Sequence, residues 1–262
     1  MRCCARNYLL GRAGLSWAVT APIPADLPLT RAIEKTYARY GQKAAAWTER
    51  YTRQGGTVHC RSGCVHCCDF PVRCSLAEAL LTASALSGEQ LKAMQSRAAE
   101  VIANAESARS WDEYFQRHRR EIRYCPLLDQ RSGACSAYEV RPTRCRDTFS
   151  ALPAHYCQVG TLESLNRREK TEYDREVRAN PATDGLSHYI APLEDLSEPI
   201  WDEAARAMRQ AWGLEVWGDF WVLTTLTQDL SFMASVRAGQ AGRATKRAKT
   251  LGLWNPEIVE IG

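Results

Sequence analysis

The chain has 262 residues, eleven of them cysteine, and a formal net charge of +4. That length can bury a sizeable core without covalent staples, and the odd cysteine count excludes a fully paired disulfide framework in a monomer. So mild a charge gives no argument for a nucleic-acid partner, and no run of about eighteen apolar residues reads as a membrane span.

Residues 1–29 read as an extended leader ending in Ala-Pro-Ile-Pro-Ala-Asp-Leu-Pro. Its stretch from Tyr8 to Val19 is broken by Gly11, Arg12 and Gly14 and makes a poor signal peptide. Cys3 and Cys4, in this leader, are discounted as ligands. The expectation is a cytoplasmic, soluble protein with reduced thiols, in which clustered cysteines bind metal more readily than each other. A helix is predicted from Thr30 to Arg53, with Ile33, Tyr37, Tyr40 and Trp47 near helical spacing and Gly55-Gly56 as its stop. Ser75-Leu-Ala-Glu78 is a capping box that starts a helix to Leu86. Ser87-Gly-Glu-Gln90 repeats the signal, and Leu91, Met94, Ala98, Val101 and Ile102 form the apolar stripe of the next helix, which ends near Asn104. A charged segment spans Trp111 to Arg123, and a loop region punctuated by glycine and proline runs from Cys125 to Cys157.

Beyond Gly160 helices are predicted over Leu162 to Arg178 and over Pro199 to Trp212, the latter capped by Ser197 and ended by Gly213. A third runs from Trp217 to Leu230. Its stripe of Trp217, Phe220, Trp221 and Leu230 reads as a buried core face, with a cofactor or partner groove as the alternative. The basic run from Arg243 to Lys249 reads as a solvated tail rather than an anion site. The fold class that follows is mainly α, with helices around an irregular, loop-built, cysteine-rich metal site. Residues 30–160 would be the metal-binding domain and 161–262 a helical extension packed on it.

Cys60, Cys64, Cys67 and Cys68 stand within nine residues, and Cys125, Cys135 and Cys145 recur at equal spacing. Thiolate is a soft ligand that suits zinc or an iron-sulfur cluster, and a Cys-x2-Cys turn aims two sulfurs at one ion. Adjacent residues of an extended chain face opposite sides, so Cys67 and Cys68 point to a two-centre site. Two other readings stay open. Positions 60, 64, 67 and 68 also fit one stripe of an amphipathic helix with cysteine as a small hydrophobe, and Cys67 with Cys68 fits a vicinal redox switch. His59, His66 and His155 neighbour these cysteines, but each is read as a solvated or otherwise satisfied histidine. Arg141, Arg144 and Arg146 can offset the charge of a thiolate-rich site, with Tyr138 and Glu139 orienting them.

The second group lies in Cys125-Pro-Leu-Leu, in Gly133-Ala-Cys135-Ser-Ala-Tyr138-Glu-Val-Arg141-Pro142-Thr-Arg-Cys145-Arg146, and in Cys157 beyond. With the head cluster these segments resemble the bacterial CxxCxxCC-type cysteine-cluster proteins, a zinc- or iron-chelating family also called YkgJ-like. The likeness runs from about residue 57 to 160. It implies a metal site of eight cysteines, namely Cys60, Cys64, Cys67, Cys68, Cys125, Cys135, Cys145 and Cys157. Cys157 precedes Gln-Val-Gly where the family usually has Pro-Gly after its last cysteine. Cys74 lies outside the pattern and is expected to be a buried thiol.

Three function classes follow. The first is a metal-binding protein that holds zinc or iron through these cysteines. The second is an iron-sulfur enzyme, by likeness to flagellin lysine N-methylases, which carry a similar cluster. Cys-x3-Cys-x2-Cys at 60–67 has the radical S-adenosylmethionine spacing, but the chain offers no series of strands to match that fold. The third is a metal-trafficking or interaction protein whose C-terminal helices dock a protein partner, a reading that an exposed Trp217 to Leu230 stripe would favour.

Overall fold

The structure is a computed structural model that describes residues 26–61 and 63–262; the leader to residue 25, with Cys3 and Cys4, lies outside the described residues. Helix α1 (Leu27–Arg53) opens three residues before the predicted start, with Pro28 in its first turn, where a missing amide costs nothing. Asp26 does not cap it by side chain; its carboxylate pairs with Arg237 at 2.6 Å. Leu29, Ile33, Tyr37 and Tyr40 form the buried face.

Strand β1 (Arg73–Ser75) leads directly into α2 (Leu76–Ser84), where both halves of the Ser75–Glu78 capping box are made. The Ser87–Gln90 box opens α3 (Gly88–Ser107) in the same way. The charged segment divides into α4 (Trp111–Arg117) and a π-helical turn over His118–Ile122. The loop region contains the two-residue hairpin strands β2 (Leu128–Asp129) and β3 (Ala134–Cys135), then α5 (Thr143–Asp147). Next come α6 (Thr161–Ser164), α7 (Arg167–Ala179), α8 (Ala191–Asp195) and α9 (Glu198–Trp212), which stops at Gly213 in the left-handed region, φ +72°.

The segment read as one helix from Trp217 is instead strand β4 (Val216–Asp219) followed by α10 (Phe220–Leu226) and α11 (Leu230–Arg237). Asp219 causes the switch: its carboxylate accepts from the amides of Trp221 and Val222 and so caps α10. The basic run is not a tail either. It lies in α12 (Ala241–Thr250), which buries Ala244 and Ala248 and pairs Arg247 with Asp229. Strand β5 (Val259–Ile261) completes a three-stranded antiparallel sheet in the order β1-β4-β5.

One apolar core joins α1, α2, α3, α9, α10, α11 and α12 through Ile33, Leu76, Met94, Met208, Leu223, Phe232 and Ala244, each fully buried. Full burial of one of the larger of these side chains is worth about 1.5–3 kcal/mol. Phe220 and Trp221 belong to this core, while Leu230 is 54% exposed. Of the stripe, Phe220 and Trp221 thus form a core face and Trp217 is half-buried. Two smaller apolar clusters, around Ile190 and Leu193 and around Leu152, Tyr173 and Val177, lie beside the cysteine loops. The protein is mainly α, as its periodicity implied.

Candidate metal centre

Among the described residues between Thr57 and Phe70, none is helical. Tight turns follow one another instead, closed by the amides of Cys64, Cys68 and Phe70, which donate to the carbonyls of Arg61, Val65 and Cys67 at 3.0, 3.0 and 3.2 Å. This removes the amphipathic-helix reading of the four head cysteines. Because Val65 to Cys68 is a turn rather than an extended segment, the two adjacent thiols do not diverge, and Cys68 raises the Cys67 thiol beside it.

The downstream cysteines are drawn to this loop by backbone contacts. The amide of Cys125 donates to the Cys68 carbonyl at 2.8 Å. In the β2–β3 hairpin, Cys135 pairs with Leu128, and Gly133 turns the chain at φ +70°. Gly133 lies so close to the head loop that a Cβ there would stand 2.7 Å from the Gly63 backbone. The Leu127 backbone and the Trp221 side chain both favour the Cys125 thiolate. Cys145 sits in α5, and its amide donates to the Pro142 carbonyl at 2.9 Å. Cys145 lies within electrostatic reach of Cys125, Cys67 and Cys135.

Cys157 ends a 3-10 turn over Ala154–Cys157 and is buried. Its carbonyl accepts from Arg119 at 2.7 Å, and Arg119 in turn grips Asp69, the residue after Cys68, at 2.9 Å. Ser150 links this cysteine to the head loop: its amide donates to Cys60 Sγ at 3.2 Å, and its side chain, whose hydroxyl donates to the Leu152 carbonyl at 2.6 Å, favours the Cys157 thiolate. On the other side, Cys157 Sγ stands 3.3 Å from His188 Nε2.

The three arginines divide. Arg144 turns outward to Asp147 and Glu194, and Arg146 lies over the Tyr37 ring at 3.9 Å and donates to the Arg141 carbonyl. Arg141 alone of the three faces several sulfurs: its charge favours the thiolate at Cys60, Cys67 and Cys145. It stacks on Tyr138 at 3.8 Å, and its Nε is buried without a hydrogen-bond partner. Against that charge, burial pushes the Cys60 thiol up to about 11, Cys125 and Cys157 to about 12, and Cys145 well above the usual range. Cys67 is raised chiefly by Cys68. Such thiols keep their protons until a cation replaces them.

Among the described residues, no three Cys, His, Asp or Glu side chains converge as they would around a bound ion. The chemistry of the donor set nonetheless fits a soft metal. Nine described cysteines carry free thiols, and the eight ligand candidates come from five segments that meet in one region. A buried guanidinium nitrogen without an acceptor stands where thiolate charge would develop. Cys74 lies in β1 opposite Gly218 and is 0% exposed, a buried thiol as expected, within electrostatic reach of Cys145. Of the neighbouring histidines, His59 and His66 are half-buried and His155 is exposed, its ring tilted against Tyr156 with centroids 4.1 Å apart. The histidine that does touch a candidate ligand, His188, was not singled out from the sequence. Nor was Trp221 as a neighbour of Cys125, since it was assigned to the core stripe.

The fold and site thus define a mainly α protein in which five segments bring eight cysteines into one region. Residues 59–174 match the family model CxxCxxCC, described as "Putative zinc- or iron-chelating domain". No curated protein matches the chain, and no solved structure does.

Proposed function

We propose that this protein binds zinc or iron, the latter as an iron-sulfur cluster, through Cys60, Cys64, Cys67, Cys68, Cys125, Cys135, Cys145 and Cys157. What supports the reading is that the segments bearing these eight cysteines lie side by side, with Arg141 favouring the thiolate at Cys60, Cys67 and Cys145. Cys67 is within electrostatic reach both of the Cys60 and Cys157 side and of Cys145, so it belongs to both halves of the cluster. A closed four-thiolate zinc site would act structurally and add on the order of 10 kcal/mol to folding of the loops. An iron-sulfur cluster would add redox capacity, tuned by the hydrogen bonds to its sulfurs. Such a centre suits a reducing compartment, and we place the protein in the cytoplasm on that ground; among the described residues no helix is long and apolar enough to cross a membrane.

The test is purification without oxygen, followed by measurement of zinc, iron and acid-labile sulfide per chain and of the visible spectrum. Stoichiometric colourless zinc supports a structural or chelating centre, and brown iron with matching sulfide supports a cluster. Protein that is folded, metal-free and unable to take up either metal overturns the reading.

A further inference from the structure

His188 is only 3% exposed. Each ring nitrogen meets one partner: Nε2 is 3.3 Å from Cys157 Sγ, and Nδ1 is 2.9 Å from the Tyr173 hydroxyl. The ring is wedged between aromatic neighbours, with the Tyr189 centroid at 4.4 Å and that of Tyr156 at 6.3 Å. Its carbonyl accepts from the amide of Ala151 at 2.9 Å. That bond fixes His188 beside Ser150, whose amide donates to Cys60 Sγ at 3.2 Å.

We infer that His188 is a nitrogen ligand of the metal centre, binding through Nε2 beside the Cys157 thiolate and oriented by Tyr173. The inference rests on the metal binding proposed above. Two features of the geometry carry it. Bonds of about 2.0–2.1 Å to nitrogen and 2.3 Å to sulfur at a tetrahedral angle place the two donor atoms about 3.6 Å apart. The observed 3.3 Å is a few tenths of an ångström short of that edge. In addition, a metal-bound histidine characteristically gives its other N–H to an outer partner that fixes tautomer and ring plane. Tyr173 occupies that position: with Nδ1–H donated to its hydroxyl oxygen, the Nε2 lone pair faces the sulfur. An ion entering between them forms one bond to Nε2 and one to Sγ, and the Cys157 thiol proton leaves to solvent. His188 lies beyond the segment that matches the family model, which ends at residue 174.

The rival role is a hydrogen bond from Nε2–H to a Cys157 thiolate that alone holds the metal. X-ray absorption at the edge of the bound metal separates the two, applied to the metal-loaded wild-type protein, His188→Gln and Tyr173→Phe. The glutamine keeps an N–H donor but lacks the imidazole. The expected result is a wild-type first shell with a nitrogen among the sulfurs and imidazole scattering behind it. That scattering should vanish in His188→Gln, with at least a tenfold loss of affinity for added zinc. Tyr173→Phe should keep the nitrogen while affinity falls about 10–100-fold. A wild-type protein that holds its metal with sulfur alone overturns the inference and leaves the cysteine centre standing, and so does His188→Gln with an unchanged shell. Wild-type protein that binds no metal overturns both. The wild-type spectrum decides even if a variant fails to fold.

Discussion

Glu78 accepts from both the backbone amide and the hydroxyl of Thr143, at 2.8 and 2.6 Å. The same carboxylate takes the Tyr37 hydroxyl and both the amide and hydroxyl of Ser75, each at 2.9 Å. One fully buried acid thus ties α1, α2 and α5 together and sets the position of Cys145, two residues past Thr143. Removing it leaves several donors buried without an acceptor. Glu78→Ala is expected to cost about 3 kcal/mol or more and to lower metal content per folded chain. Urea denaturation with metal analysis checks both; a loss under about 1 kcal/mol would show the hub to be dispensable.

Gly133 makes a second such connection. A methyl group there would press on the Gly63 backbone at 2.7 Å, at a φ of +70° that other residues rarely adopt. Gly133→Ala should push the Cys135 hairpin from the head loop, lowering both stability and bound metal. Gly41→Ala, inside α1 with nothing within 4 Å of the added carbon, should stabilise by about 0.5–1 kcal/mol. Thermal melts of the two variants together test the geometry rather than the mere loss of glycine. Equal effects would contradict it.

The features legible in the sequence are those whose physics is local. The Ser75–Glu78 and Ser87–Gln90 boxes close within one helical turn, so spacing alone located two helix starts that the structure reproduces. Ser197 also stands at the start of α9, but its hydroxyl donates to Asp147 and to the Glu194 carbonyl instead of capping the helix. Spacing located the boundary there and missed the reason. The sheet was missed because β1, β4 and β5 are three or four residues long and hold together only by pairing across the chain. Cys74 pairs with Gly218, and no alternation in so short a run announces that. The cysteines were legible from clustering. Their partners His188 and Trp221 were not, since they reach Cys157 and Cys125 through tertiary contacts that no motif encodes.

Arg119 and Asp69 form a buried pair at 2.9 Å, with Phe70 stacked on the guanidinium at 4.3 Å. Burial raises the Asp69 carboxyl while Arg119 opposes the rise. Arg119 also holds the Cys157 carbonyl, so the pair links both ends of the cysteine set. Arg119→Met leaves Asp69 buried and uncompensated, a change expected to cost about 3–5 kcal/mol. Replacing Asp69 by Asn at the same time should recover part of that loss. A double-mutant cycle by chemical denaturation measures the coupling, and additivity of the two changes would argue that the pair is incidental.

Two buried groups set opposing pH dependences. His118 is fully buried with neither ring nitrogen hydrogen-bonded, and desolvation lowers it to about 4. It therefore binds fewer protons folded than unfolded, so its contribution to stability is lost as pH falls from about 6.5 toward 4. Asp219, also buried, is raised by desolvation to about 7 although the Val222 and Trp221 amides pull the other way. It binds more protons folded than unfolded, so stability is lost as pH rises from about 4 through 7. Relative to the wild type, His118→Phe should become more stable as the solution is acidified across the first window. Asp219→Asn should become more stable as pH rises across the second. Each difference should change on the order of 3 kcal/mol, read from urea midpoints between pH 4 and 8. Parallel profiles for wild type and variants would remove the assignment.

The raised thiols dictate how metal enters. Cys60, Cys125, Cys145 and Cys157 all hold their protons at neutral pH because burial disfavours the thiolate. Binding must therefore expel those protons, and the ion competes with them for each sulfur. Calorimetry of zinc binding to the apoprotein in buffers of different ionisation enthalpy should show about two or more protons released per ion. Affinity should fall steeply as pH drops, with a slope equal to that number. Cys64→Ser should lose metal and melt at a lower temperature than the loaded wild type. A variant with full metal content and an unchanged melting temperature would exclude Cys64 from the centre. Proton release near zero would mean that the ion binds away from the buried thiols altogether.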